Sequence, residues 1–279
     1  MKRISIILMC LCLAAASLGA QDVNRFVSRY NNIVSRVGYN GIGVDALLTQ
    51  WEKSDSTDIN LLLARFNYWF AASERDTVVV LEKTRYLGQK PLMQLKDSTG
   101  HARNYFQDRI YDDDAFGKAV KYVNMAAARD NMRLDIVIAK ANALADYEKG
   151  SPDMALNYLL GIVDLNFTKK YKWEYPGSTV DAEFFDSVIQ DFCVRFYQCG
   201  EKASWEAFRL LSERMLKYEP KNNNFIDNIG AYWLVAAEKP KTARKFYQKS
   251  LKLKPDDAVA KSNLEIIGKR LSAGKSRKK

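Results

Sequence analysis

Residues 220–255 read PKNNNFIDNIGAYWLVAAEKPKTARKFYQKSLKLKP, and this stretch decides the fold. Apolar and small residues recur three or four positions apart in both halves, the period of an amphipathic helix. Ile226, Ile229, Gly230 and Trp233 mark the first helix, and Ala243, Tyr247 and Ser250 the second. Gly230, Ala243 and Ser250 are small where two helices cross closely, while Ile226, Trp233, Phe246, Tyr247 and Leu251 fill the space between them. Pro240 occupies the turn, and Pro255 cannot continue the second helix. The reading is a helical hairpin closed at either end by a proline, Pro220 and Pro255.

Working outward, DDAVAKSNLEIIGKRL (256–271) opens a further helix with Leu264 in the apolar slot and supplies no second one, which is how a helical repeat array is capped. The basic residues 271–279 are expected to be a disordered tail. Upstream, VDAEFFDSVIQDFCVRFYQC (180–199) carries the stripe Phe185, Val188, Ile189, Phe192 and Phe196, and pairs with SWEAFRLLSERMLKYEP (204–220). RLDIVIAKANALADYEKG (133–150) and SPDMALNYLLGIVDLN (151–166) make another hairpin, with Gly150 ending one helix and Ser151 and Pro152 opening the next. Cys193 and Cys199 lie six apart. On one continuous helix that places them roughly 9 Å apart along the axis, beyond disulfide reach. Two buried thiols is one reading, and a bridge formed where the helix frays before Gly200 is the other.

Nearer the start, INLLLARFNYWFAAS (59–73) is a helix with Asp58 as N-cap, and Ile59, Leu62, Leu63, Phe66, Trp69 and Phe70 form its core face. Residues 77–112 break the helical period. TVVVL is β-branched, PLMQL alternates, and HARNYFQDRIY returns after the turn residues 97–100, so a small β-hairpin insertion is expected. His101 is the only histidine and stands alone beside that turn. Asp112, Asp113 and Asp114 read as a helix start, favoured by the helix dipole.

The domain plan is therefore a leader (1–20), N-terminal helices (21–76), a β insertion (77–112), degenerate helical repeats (113–200), closing repeats with a capping helix (201–270) and a tail (271–279). Lys2 and Arg3 before ISIILMCLCLAAA and the small residues Ser17, Gly19 and Ala20 have the form of a secretory signal peptide. No second apolar run follows, so no transmembrane segment is expected in the mature chain. The leader holds two of 43 basic residues and no acidic one, leaving +8 on residues 21–279. That charge favours acidic partners; an exported chain with dispersed basic residues argues against nucleic acid. One histidine, no Ser-His pair, no Gly-rich phosphate loop and no metal-ligand spacing leave a carboxylate pair as the only catalytic option, and no spacing singles one out. No catalytic residue, cofactor or metal is expected.

The apolar-x2-apolar-Gly-x2-aromatic spacing of Ile226, Ile229, Gly230 and Trp233, followed by Ala243, Tyr247, Ser250 and Pro255, resembles the tetratricopeptide repeat (TPR). One departure stands out: the interval from Trp233 to Ala243 is one residue longer than usual. With ARFNYWF, the DSTG turn and the IYDDD helix start, the order of parts is similar to that of a family of secreted bacterial TPR proteins of unassigned role. That resemblance implies a TPR-like helical-hairpin solenoid and a non-catalytic binding scaffold. Asp55-Ser56-Thr57, Asp76-Thr77-Val78, Asp97-Ser98-Thr99 and Asp186-Ser187-Val188 resemble O-glycosylation sites of some such bacteria, though Asp and Ser are also ordinary turn residues.

The expected function is an exported scaffold whose concave face holds a protein or peptide in the cell envelope; the alternative is an accessory carbohydrate-binding or glycan-processing protein. In KKYKWEYPG (169–177) the rings of Tyr171, Trp173 and Tyr175 alternate with Lys170, Lys172 and Glu174. These rings are candidate partner anchors, with Lys170 and Lys172 steering an acidic ligand. The competing reading has Trp173 stapling the loop onto the preceding helix. The tail, with Lys269, Arg270, Lys275, Arg277, Lys278 and Lys279 and no acid among them, is a candidate contact for an anionic envelope surface.

Overall fold

The computed structural model describes residues 19–169 and 171–276, with side chains over 25–169 and 171–272. Among these residues the chain forms eleven α-helices and one three-stranded sheet. It is an all-α fold of helical hairpins with a small β insertion. The expected leader falls almost wholly outside the described residues. Contacts divide the chain into two compact units, residues 1–82, 91–147 and 172–181 in one, and 83–90, 148–171 and 182–279 in the other.

The first unit begins with α1 (Gly19–Val37), α2 (Val44–Ser54) and α3 (Ile59–Ser73). Their core gathers Val27, Tyr30, Leu47, Leu48, Trp51, Leu61 and Ala64. Trp51 stacks on Phe26 at 5.6 Å, and its indole N–H donates to Asp58 at 2.9 Å. Asp58 also caps α3 by accepting from the Asn60 N–H at 2.9 Å, as expected from sequence. Arg65 on α3 is buried, yet its guanidinium reaches Asp45 at 2.6 Å, Glu52 at 2.8 Å and Thr49 at 3.2 Å, all on α2.

The insertion contains β1 (Glu74–Leu81), β2 (Met93–Lys96) and β3 (Ala102–Tyr111) in the order β1-β3-β2, all antiparallel. The first strand starts three residues before Thr77, because Arg109 on β3 bonds both Glu74 (3.0 Å) and Asp76 (3.1 Å) and draws that polar segment into the ladder. Alternation buries Asn104 and Phe106 and leaves Val78, Val80, Met93 and Leu95 exposed. His101 stays at the turn, its Nδ1 2.8 Å from Thr99 Oγ1. Thr57 and Thr99 donate to Asp55 and Asp97, so both Asp-Ser-Thr stretches are side-chain-closed turns.

Helix α4 (Asp113–Arg129) is capped by Asp112, which accepts from Ala115 at 2.8 Å. Phe70, Tyr111, Phe116 and Tyr147 form one aromatic cluster joining α3, β3, α4 and α5 (Leu134–Glu148).

The second unit holds α6 (Asp153–Lys169), α7 (Ala182–Cys199), α8 (Lys202–Tyr218), α9 (Asn223–Ala231), α10 (Pro240–Leu253) and α11 (Ala258–Ser276). Helix α7 packs on α8, α8 on α9, and α9 on α10, which in turn packs on α11. Glu148 supplies the cap of α6, its carboxylate accepting from Met154 (2.6 Å) and Ala155 (2.9 Å). Gly88 is held at φ 73°, and a Cβ there would lie 1.9 Å from the Gln198 carbonyl, so only glycine fits. Gly230 is equally constrained: an added Cβ would meet the Tyr247 ring at 2.8 Å.

The extra residue between Trp233 and Ala243 lies inside the helix and not in the turn. Tyr232–Ala236 form a π-helical turn, closed by Ala237 N–H to Tyr232 C=O at 3.0 Å, and Pro240 takes the first position of α10. The tail departs from expectation too. Helix α11 continues to Ser276, because Leu271 packs on the terminal core and Arg270 donates to the Leu234 carbonyl at 3.2 Å. Residues 277–279 lie outside the described residues.

Candidate partner-binding site

The stretch singled out by sequence is not presented as an open row of rings. Trp173 is 6% exposed, Tyr171 and Tyr175 are half-buried, and Lys172 is exposed. Lys170 lies outside the described residues. The backbone explains the burial of Trp173. Glu174 N–H donates to Met132 C=O and Leu134 N–H to Glu174 C=O, both at 2.8 Å, so Lys172–Tyr175 run as a short parallel partner of residues 132–134. Trp173 is therefore part of the fold of the first unit, on a segment paired with residues 132–134. The division between the two units falls between Tyr171 and Lys172.

Sequence spacing missed a polar seam in the second unit. On α7, Asp186, Gln190 and Cys193 sit four and three residues apart and so share a face. Gln190 and Asn228 exchange amide hydrogen bonds at 3.1 and 2.8 Å, and Asn228 also donates to Ser212 at 3.1 Å. These bonds tie α7, α8 and α9 together. Cys193 is fully buried 3.5 Å from Ser212, and burial pushes its thiol up to about 12. Cys199 ends the same unbroken helix, and both cysteines are free, so the bridged alternative is not formed.

At the N-terminal end of the seam, Asn222 Nδ2 donates to Asp186 Oδ2 at 2.7 Å and to Glu219 Oε2 at 2.9 Å. One amide nitrogen at the start of α9 thus holds two carboxylates of the α7–α8 hairpin. Asp186 Oδ1 is buried and no donor reaches it. Burial first, then the facing Glu219, raise the Asp186 carboxyl to about 7, while Asn222 opposes the shift. Glu219, Pro220, Lys221 and Asn222 line an open cavity of about 350 Å³. Its wall carries one carboxylate, one ammonium and one amide, while Asp186 lies behind Asn222 with Oδ1 buried.

Among the described residues no group of three His, Cys, Asp or Glu side chains is placed to hold a metal ion, and no helix is long and apolar enough to cross a membrane. No protein family matches the sequence, and no curated protein matches it either. One solved structure that aligns is described as the crystal structure of YrrB, a TPR protein with an unusual peptide-binding site. It covers 90% of this chain and 100% of its own at 12% identity, with a TM-score of 0.40. At that score nothing is transferred from it.

Proposed function

We propose that this chain is an exported, non-catalytic scaffold of the secreted bacterial TPR type, acting in the cell envelope, where its helical hairpins hold a protein or peptide. The observation that carries the reading is the open cavity at the turn between consecutive hairpins, lined by Glu219, Pro220, Lys221 and Asn222. Glu219 supplies an acceptor and Lys221 a donor on its wall, and Asn222 ties that wall to the buried Asp186. A polypeptide brings backbone N–H and C=O groups that pair with both.

The carboxyl pair also gives the glycan-processing alternative its one concrete form. Geometry weighs against it. Asp186 and Glu219 accept from the same nitrogen and face each other, whereas glycoside hydrolysis keeps its two carboxyl groups about 5–9.5 Å apart to admit sugar or water.

A photo-crosslinking residue at Lys221, installed in cells and followed by mass spectrometry, tests the proposal alongside a glycan array. A polypeptide adduct at the cavity, weakened in Asp186→Asn, is the expected result. Glycan recovery with no polypeptide would replace this reading by the carbohydrate-binding alternative. Export is tested separately by fractionating cells and sequencing the mature N-terminus, with Gln21 expected.

A further inference from the structure

Helix α10 carries Lys241, Arg244, Lys245, Lys249 and Lys252 and no acidic residue. All five are exposed, while Ala243, Tyr247 and Ser250 form the buried side of the helix. Lys241, Lys245, Lys249 and Lys252 recur every three or four residues and so stand in one line. Among the described residues none of the five forms an ion pair with a carboxylate; Lys249 Nζ donates to the Pro220 carbonyl at 3.2 Å. The contrast with Arg65, Arg133, Arg209 and Arg214 is plain, since each of those meets at least one carboxylate.

Such a helix works against itself. Like charges at i and i+4 destabilise it, and Lys241 sits in the first turn, where the helix dipole already disfavours a cation. A row of anions laid along the outside reverses both effects. We infer that this face of α10 docks an acidic polypeptide segment, on a surface that meets the cavity of Glu219–Asn222 at Pro220, where Lys249 is bonded. Successive cations rise about 6 Å per four residues, and Asp or Glu side chains repeat at nearly that interval at i, i+4 of a helix or i, i+2 of an extended strand. The stripe is a single helix wide, a line and not a plane, which suits a chain better than a lipid surface. It offers no ring for sugar stacking: Tyr247 is buried and Phe246 half-buried.

The test uses the full chain and poly-L-glutamate as probe, titrated by calorimetry at low salt and at about 0.15 M salt. Wild type should bind, more weakly at the higher salt. The triple variant Lys241→Gln/Lys245→Gln/Lys252→Gln should bind about tenfold more weakly, with a shallower salt dependence and a melting temperature unchanged or raised. A second triple of equal charge, Lys53→Gln/Lys96→Gln/Lys121→Gln, controls for net charge and should bind like wild type. Equal weakening in both triples, or none in the first, overturns the inference. So does binding to polygalacturonate or phosphatidylserine vesicles without binding to polyglutamate, and so does a dimer in sedimentation that the first triple abolishes. Polyglutamate binding with no polypeptide adduct at position 221 leaves this docking face standing and removes the cavity reading.

Discussion

Two hairpins of this molecule solve one packing problem in opposite ways. Where α2 meets α3, the crossing is bridged by the long side chain of Arg65, whose terminal nitrogens bond Asp45, Thr49 and Glu52 while its Nε stays buried without a partner. Where α9 meets α10, Gly230 lies against the face of Tyr247, so close that a single methyl group has no room. The first arrangement tolerates a charge because its carboxylates are themselves partly in water, at 59% and 42% exposure. The second gains contact area but traps polar atoms: Tyr247 OH is buried without a hydrogen-bond partner. Both crossings enclose a polar atom without a partner, and the wider one also admits a charge because its counter-charges reach water.

The sharpest way to break this contrast is to strip Arg65 of its partners. Asp45→Asn/Glu52→Gln leaves a buried guanidinium uncompensated and should lower unfolding free energy in urea by about 3 kcal/mol. Arg65→Leu, which removes the charge itself, should cost markedly less. Equal losses in the two variants would mean that the ion pairs are incidental to the crossing.

Next in size is Gly230→Ala, expected to destabilise by about 2 kcal/mol as the Tyr247 ring is forced away, despite the better helix propensity of alanine. A neutral or stabilising result would show that the two helices separate freely. Tyr247→Phe tests the stranded hydroxyl from the other side. Removing a buried, unpartnered O–H should raise stability by about 1 kcal/mol, read as a higher urea midpoint at unchanged slope.

The smallest expected effect is on pH. Asp227, on α9, is buried, and burial followed by the nearby Asp257 carboxylate raises it from 3.8 to about 6, with Ser250 and Lys254 opposing. Its folded value exceeds its unfolded one, so the protonated form is the one folding favours. The contribution is fully present below pH 3.8 and is lost as pH rises to about 6. Relative to Asp227→Asn, wild type should therefore lose melting temperature over that interval. Parallel curves for the two proteins would remove Asp227 from the account.

How much of this was visible in the sequence depends on the range of each interaction. Periodicity exposed the helices because the partners of Phe185, Ile189 and Phe192 lie one turn away, and Asp58 and Asp112 announced their helices by capping residues two or three positions on. The strand start at Glu74 was hidden, because its partner, Arg109, lies thirty-five residues downstream. Trp173 was ambiguous for the same reason: alternation groups it with Tyr171 and Tyr175, while the pairing of Glu174 with residues 132–134 decides its burial. Asp186 and Glu219 come from separate helices, and nothing in their spacing brings them to one amide of Asn222.

The π-helical turn at Tyr232–Ala236 has a consequence of another kind. One surplus residue in an α-helix throws everything after it out of phase by about 100°, yet Leu234 remains 2% exposed and α10 begins in step with its neighbours. The error is confined to a single wide loop of backbone. Confinement frees an acceptor, since a carbonyl that skips its usual N–H partner is left to bond elsewhere, and the Leu234 carbonyl takes the guanidinium of Arg270. What reads as an insertion in the repeat is thus also the socket that fastens α11, the second helix after it.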